Sequence, residues 1–374
     1  MFRVVAIKKL TIEEFLALAK EFPVLDVRSP GEYNHAHIPG AYSLPLFTDE
    51  ERKVVGTMYK QQSREAAIKI GLDYFGVKMK KMVEEAESIT ANHKLQTSNL
   101  KHETSNTVLV HCWRGGMRSA GVAWLLDLYG FKVYTLVGGY KAYRKWALAQ
   151  FEKEYSFQII GGFTGSGKTE VLQALPGAGH TIINLEALAS HKGSAFGAIE
   201  GKPQPKQEMF ENLLAHALAG TGYRIQDQES GIPQPTSCIW IEDESQRIGN
   251  LQIPMPLWYT MRRAPVFFLD IPFEERLAYI TEEYGKLPAE RLEAAILRIE
   301  KRLGGLEAKN ALNHLREGQL NESFRILLRY YDKWYNKGLN NRENLASLLN
   351  KIPCTGVDTK TNVQNLLSCK TVSA

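Results

Sequence analysis

The sequence predicts an α/β protein built from two successive parallel-sheet domains, with a helical part closing the second. Three observations carry this. Short apolar runs alternate with helical segments twice along the 374 residues. Two of those runs, "TVLVH" and "FQIIGG", lead straight into glycine-rich loops and then into helices. From Pro272 onward the pattern turns helical, with "ERLEAAILRIEKRL" and "SFRILLRYYDKWYNKGL" carrying apolar spacings of three and four.

The elements follow in order. "TIEEF" opens a helix with a capping box, in which Thr11 and Glu14 each satisfy the other's orphan backbone donor, and the helix runs to about Lys20. "FPVLDV" is a short buried strand, and "RSPGEYNHAHIPGA" a loop. Residues 48 to 90 read as helices. The polar stretch of about 88–106 reads as a mobile insertion. "TVLVH" is a strand, "CWRGGMR" a tight loop, and "SAGVAWLLDLYG" a helix closed by Gly130. "KVYTLVGG" and "YKAYRKWALA" repeat strand then helix, and the first domain, 1–148, ends there. The second, 155–350, has strands "FQII", "TIINL", "CIWIEDE" and "APVFFLDI" ending in polar residues at a ligand edge. Residues 351–374 are read as a weakly patterned tail.

Composition sets the outer limits. With 44% hydrophobic and 23% charged residues and no run of about 18 apolar residues, a membrane span is not expected, and the N-terminus lacks a signal-peptide pattern. A cytoplasmic location follows as the expectation. Four cysteines without a C-x-x-C pair argue against a disulfide framework and a zinc site. The net charge of +5 suits an anionic partner without specifying one.

In "HCWRGGMRS", Cys112 stands at the end of a strand and the start of a helix, where loop amides stabilise a thiolate. Gly115 and Gly116 let backbone N–H groups converge, Arg114 and Arg118 add positive charge, and Arg118 has a fork suited to a tetrahedral oxyanion. Ser119 supports the same loop. With the upstream "DVRSPGEYNHAHIPGA", the segment resembles a rhodanese domain over about residues 5 to 148. Asp26, Arg28 and Glu32 are expected to brace the loop rather than react. His35 and His37 are read as surface or packing histidines. The C-x5-R spacing equals that of cysteine phosphatases related to rhodaneses, which keeps phosphatase chemistry open.

"GFTGSGKT" fits the P-loop pattern G-x-x-x-x-G-K-[ST] between a strand and a helix. Gly162, Thr164, Gly165, Ser166 and Gly167 form the phosphate cradle, Lys168 neutralises outer oxygens, and Thr169 is suited to hold Mg²⁺. Glu242, Asp243 and Glu244 are candidates for a metal- or water-positioning carboxylate, with a solvated acidic turn as the other reading. Lys192, Gly193 and Ser194 either approach a phosphate or substrate or form a plain loop. The helix "FRILLRYYDKWYNKG" interleaves basic and aromatic residues, as RNA-binding faces do, but is read in favour of core.

The order of "CWRGGMRS", "GFTGSGKT", "HKGSAFG" and "WIEDESQRIG" resembles the tRNA 2-selenouridine synthase family over nearly the whole chain. That resemblance implies conversion of wobble 2-thiouridine in tRNA to 2-selenouridine through an S-geranyl intermediate. Geranyl diphosphate and selenophosphate would be co-substrates, with no tightly bound cofactor. Three other readings stay open: a rhodanese-related cysteine phosphatase, a sulfurtransferase fused to a nucleotide-binding domain, and a nucleotide-gated tRNA-binding module.

Overall fold

The structure is a computed structural model that describes residues 7–96, 106–192, 203–221 and 238–369. The chain divides into two compact units, one running to Gln150 with Glu211–Leu213, the other comprising Phe151–Phe210 and the chain from Leu214.

In the first unit, β1 (Lys8–Leu10) and α1 (Ile12–Leu18) are joined by the Thr11 capping box. Then come β2 (Val24–Asp26), α2 (Pro30–His35) and β3 (Tyr42–Ser43). Helices α3 (Asp49–Gln61), α4 (Arg64–Gly76) and α5 (Met79–Gln96) precede β4 (Thr107–His111), α6 (Met117–Tyr129), β5 (Lys132–Leu136) and α7 (Gly139–Gln150). The sheet order is β1-β5-β4-β2-β3, every pair parallel. β4 is central and buried along its whole length, as a parallel strand covered on both faces must be. The loop after it therefore leaves from the middle of the sheet edge.

The second unit contains β6 (Phe157–Gly162), α8 (Lys168–Ala174), β7 (Thr181–Ile183), α9 (Leu185–Ala189) and α10 (Gln207–Gly220). β8 (Ile239–Glu242), a small antiparallel pair β9 (Arg247–Ile248) and β10 (Leu251–Gln252), α11 (Met255–Arg263) and β11 (Val266–Asp270) follow. The helical part is α12 (Phe273–Tyr284), α13 (Ala289–Leu303), α14 (Gly305–Arg316) and α15 (Leu320–Asn340). Last come α16 (Leu345–Leu348), β12 (Leu349–Pro353) and α17 (Thr359–Ser368). The five-stranded sheet, β12-β11-β6-β8-β7, is again parallel throughout. β6, with its phosphate loop, is central.

Two sequence readings change. The insertion read at about 88–106 is helical as far as Gln96: Thr90 is buried and its hydroxyl donates to the Ala86 carbonyl at 2.7 Å. Residues 97–105 lie outside the described ones. The tail read at 351–374 belongs to the second fold through residue 369. β12 pairs with β11 from Val266↔Leu349 to Asp270↔Pro353, and Ile352, Val363 and Leu366 share a core with Val171 and Leu172 of α8. A five-residue edge strand with one fully buried side chain has too little alternation to be seen in sequence.

Helix α15 buries Phe324, Leu327 and Leu328 in a core shared with α12, α13 and α14. That part of the helix follows the core reading, while Trp334 stays exposed.

Candidate active site

At the end of β4 the chain turns sharply. Gly115 has φ +65°, and a side chain there would meet the Leu136 carbonyl at 2.5 Å. Gly139 has φ +56°, and a side chain there would collide with the Cys112 carbonyl. Only glycine allows the two turns to approach this closely. The Tyr140 amide donates to the Cys112 carbonyl at 2.8 Å and the Lys141 amide to that of Trp113 at 3.0 Å, which ties the loop to the start of α7.

Cys112 is 3% exposed, with Sγ 3.2 Å from Ser119 Oγ. Burial pushes the thiol up, but the Ser119 hydroxyl and amide, the Arg114 amide and the Arg118 charge outweigh it and hold it below the ordinary cysteine value. Arg114 and Gly116 are exposed at the loop surface. Arg118 is half-buried and its fork is occupied: Nη1 donates to Glu32 Oε2 at 2.6 Å and Nη2 to Oε1 at 3.4 Å. Its charge reaches the sulfur, while its donors are directed at Glu32 rather than offered to an oxyanion.

Behind the loop, Asp26 and Arg28 are wholly buried. Arg28 Nε donates to both Asp26 oxygens at 3.0 Å, and Nη2 donates to Oδ2 at 2.6 Å and to the Ala36 carbonyl at 2.7 Å. The guanidinium lies 3.8 Å from the Tyr140 ring centroid, a stacked cation that offsets part of the desolvation cost. Burial raises the Asp26 carboxyl, but His111 and Arg28 bring it below its ordinary value. His111 is itself held below the usual histidine value by burial, so at neutral pH Arg28 carries the pairing. His37 stacks on Tyr33 at 4.0 Å and serves packing.

In the second unit, Gly162, Gly165 and Gly167 all have positive φ, and a side chain at Gly162 would meet Ser166 Oγ at 2.5 Å. Lys168 Nζ donates to the carbonyls of Gly162 and Phe163 at 2.9 and 3.2 Å. The Thr164 carbonyl accepts from Arg276 Nη1 at 3.0 Å, and Arg276 is paired with Asp332 at 2.8 Å. Ser166 Oγ is buried without a hydrogen-bond partner.

The three candidate acids separate. Asp243 accepts from Tyr335 at 2.8 Å and from Arg342, while the Tyr335 hydroxyl accepts from the Gly162 amide at 3.1 Å. It is a brace for the strand end rather than an open ligand. Glu242 and Glu244 instead join Glu186, with one carboxylate oxygen of each within 4.8 Å of the others. Thr169 Oγ1 donates to Glu242 at 3.3 Å and to Glu186 at 3.4 Å. Glu242 is 2% exposed and its Oε1 has no partner; burial and then the Glu186 charge push it up to about 7. Burial, then Glu242 and Glu186, also raise Glu244 well above the usual carboxylate range. Three converging carboxylates beside a hydroxyl, one with an orphaned oxygen, fit a hard divalent cation with oxygen ligands.

Glu186 was not among the sequence candidates. Its signal was position: it lies in the first turn of α9, directly after β7, at the same sheet edge as the phosphate loop. Lys192 is exposed, and Gly193 and Ser194 lie outside the described residues.

Comparison with known proteins agrees with this arrangement. A family described as "tRNA 2-selenouridine synthase AAA domain" matches residues 155–351, and the rhodanese-like domain family matches 11–145. A tRNA 2-selenouridine synthase of Bdellovibrio bacteriovorus is 34% identical over 80% of this chain and 81% of its own length. One from Nitrosomonas europaea is 35% identical over 73% of this chain and 66% of its own. One from Pseudomonas syringae pv. syringae is 33% identical over 84% and 88%. Among the described residues no helix is long and apolar enough to cross a membrane.

Proposed function

The chain belongs to the tRNA 2-selenouridine synthase family, and we propose that it exchanges sulfur for selenium at a wobble 2-thiouridine of tRNA by way of an S-geranyl intermediate, using geranyl diphosphate and selenophosphate in the cytoplasm. One observation carries the reading: the chain has two different anion loops, each at the centre of its own parallel sheet, one presenting a thiol of lowered pKa and the other a lysine and a threonine. A phosphatase or a sulfurtransferase uses the first loop alone. A nucleotide-gated binder has no use for an activated thiol.

The chemistry divides accordingly. Sulfur on C2 of the uridine is a poor leaving group until alkylated. In the first step the thiocarbonyl sulfur bonds to C1 of the geranyl group, the C–O bond to diphosphate breaks, and N3 gives up its proton. Lys168, the loop amides and a Mg²⁺ held by Thr169 with Glu242, Glu186 and Glu244 would carry the charge on the departing diphosphate. In the second, the selenium of selenophosphate bonds to C2 and the C2–S bond breaks, geranylthiol leaving with a proton from solvent; water then cleaves the Se–P bond, releasing phosphate, and N3 regains its proton. The Cys112 loop receives the selenophosphate, with Arg114 free at its surface and the Arg118 charge held nearby by Glu32.

The test is to incubate the protein with 2-thiouridine tRNA, omitting each small molecule in turn, and to measure the mass of the wobble nucleoside. Selenium-for-sulfur exchange requiring both small molecules is expected. Lys168→Ala should block geranylation, and Cys112→Ser should spare geranylation and stop selenation. An unchanged nucleoside in every mixture, with the protein folded and its thiols reduced, overturns the reading and leaves phosphatase and thiosulfate assays on Cys112 as the next measurements.

A further inference from the structure

The second unit contains an apolar pocket that shares a residue with the phosphate loop. Thr164 stands at one end, Ile280 and Tyr284 of α12 form one wall, and Phe324, Leu328 and Tyr331 of α15 form the other. Counted with its open mouth the pocket spans about 300 Å³. Its wall packs tightly on the loop: a side chain at Gly165 would meet Ile280 Cδ1 at 2.7 Å, and Arg276 of the same helix donates to the Thr164 carbonyl at 3.0 Å. A ligand whose phosphates sit on the loop has this wall as its neighbour.

The lining states what kind of ligand fits. On the α15 wall Phe324 and Leu328 are 3% and 1% exposed and make its deep part, the floor, while the partly exposed Tyr284 and Tyr331 carry the two walls out towards solvent at the rim. Such walls lack the paired donors and acceptors that read a nucleobase edge, and a purine placed here would leave its polar groups unsatisfied. A hydrocarbon loses nothing by entering. We propose that this pocket takes the isoprenoid chain of geranyl diphosphate, an assignment that rests on the reading that the phosphate loop binds that diphosphate. The enclosed part is narrow, with room for little more than one water molecule, so entry of the chain turns the Tyr284 and Tyr331 rings aside.

The test is calorimetric titration of the full-length protein with inorganic diphosphate and with dimethylallyl, geranyl and farnesyl diphosphates. Affinity should rise by roughly tenfold or more for each five-carbon unit up to geranyl, because each methylene taken out of water adds to binding. Leu328→Phe fills the floor and should cost geranyl diphosphate at least tenfold while leaving inorganic diphosphate unchanged. Tyr331→Ala opens the rim and should let farnesyl diphosphate bind as tightly as geranyl or more so. If both variants keep the wild-type chain-length profile, the chain lies elsewhere and this assignment fails, while the prenyl-diphosphate reading stands. If the wild type binds all four ligands equally, the assignment and the reading beneath it both fail.

Discussion

Arg118 Nη1 donates to Glu32 Oε2 at 2.6 Å across 86 positions of sequence, joining the cysteine loop to the first turn of α2. The same carboxylate caps that helix by accepting from the Ser29 amide at 3.0 Å. Burial raises Glu32, but the Arg118 bond and charge bring it below its ordinary value, so it is ionised at neutral pH and partly cancels the charge that Cys112 feels.

The sign of each substitution on the thiol follows from that geometry. Arg118→Ala and Ser119→Ala each remove a group that favours the thiolate, so the Cys112 pKa should rise and its alkylation at neutral pH should slow. Glu32→Gln keeps a cap acceptor but removes the cancelling charge, so the pKa should fall. The measurement is the pH dependence of iodoacetamide modification of the Cys112 peptide by mass spectrometry, which separates it from Cys238, Cys354 and Cys369. An unmoved inflection in Ser119→Ala would remove the hydroxyl from the account.

Glu242 gives a second pH dependence, of opposite origin. Its folded-state pKa, about 7, lies above the ordinary 4.5, so between those values the unfolded chain has lost a proton that the folded chain keeps. Stability should therefore fall as pH rises through that window, by about 3 kcal/mol at most. A divalent cation replaces the proton and needs the carboxylates ionised, so Mg²⁺ should raise the unfolding midpoint more at pH 8 than at pH 5.5. Glu242→Gln should flatten the pH dependence and abolish the Mg²⁺ effect. Equal Mg²⁺ effects at both pH values would argue for weak surface binding instead.

How much of this was legible in the sequence depended on whether one stretch held the whole signal. β4 and β6 are apolar runs feeding glycine loops, and each motif fits within about ten residues, so both loops and their central strands were readable. β1, β3 and β12 are edge strands of two to five residues, whose pairing is decided by neighbours distant in the chain. The acids show an intermediate case. β8 ends at Glu242, and past it the Glu244 amide turns back onto the Glu242 carbonyl, so which of the three acids converge is set by that turn rather than by strand alternation. That Glu186 completes the group, and that Arg342 claims Asp243, depends on contacts spanning 56 and 99 positions.

Arg276 is the case where a buried charge supports a binding loop. It is 3% exposed, pairs with Asp332 through both oxygens at 2.9 and 2.8 Å, and donates to the Thr164 and Ile271 carbonyls. Removing one partner of such a pair strands the other, and Arg276→Ala should destabilise the second unit by about 3 kcal/mol. It should also weaken inorganic diphosphate binding, because the loop loses its tether. Arg276→Lys keeps the charge but not the fork and should recover stability more than binding. Full binding by Arg276→Ala would show that the loop holds its shape without help.

The C-terminal segment is the strongest test of the fold itself. β12 covers the edge of β11 over five residue pairs, and α17 sets Leu366 and Val363 on the core that includes Val171 and Leu172 behind the phosphate loop. Val357 also stands where a side chain at Gly167 would meet it at 2.9 Å, so this segment packs directly against the loop. Ending the chain after Leu348 strips an edge strand's worth of hydrogen bonds and bares apolar surface on α8, two recognised routes to aggregation. The truncated protein should lose cooperative thermal unfolding of the second unit and its diphosphate binding. The rhodanese-like unit should keep the Cys112 alkylation profile, since its sheet is complete by Leu136. A truncated chain that melts and binds like the full one would show that the second fold does not need residues 349–369.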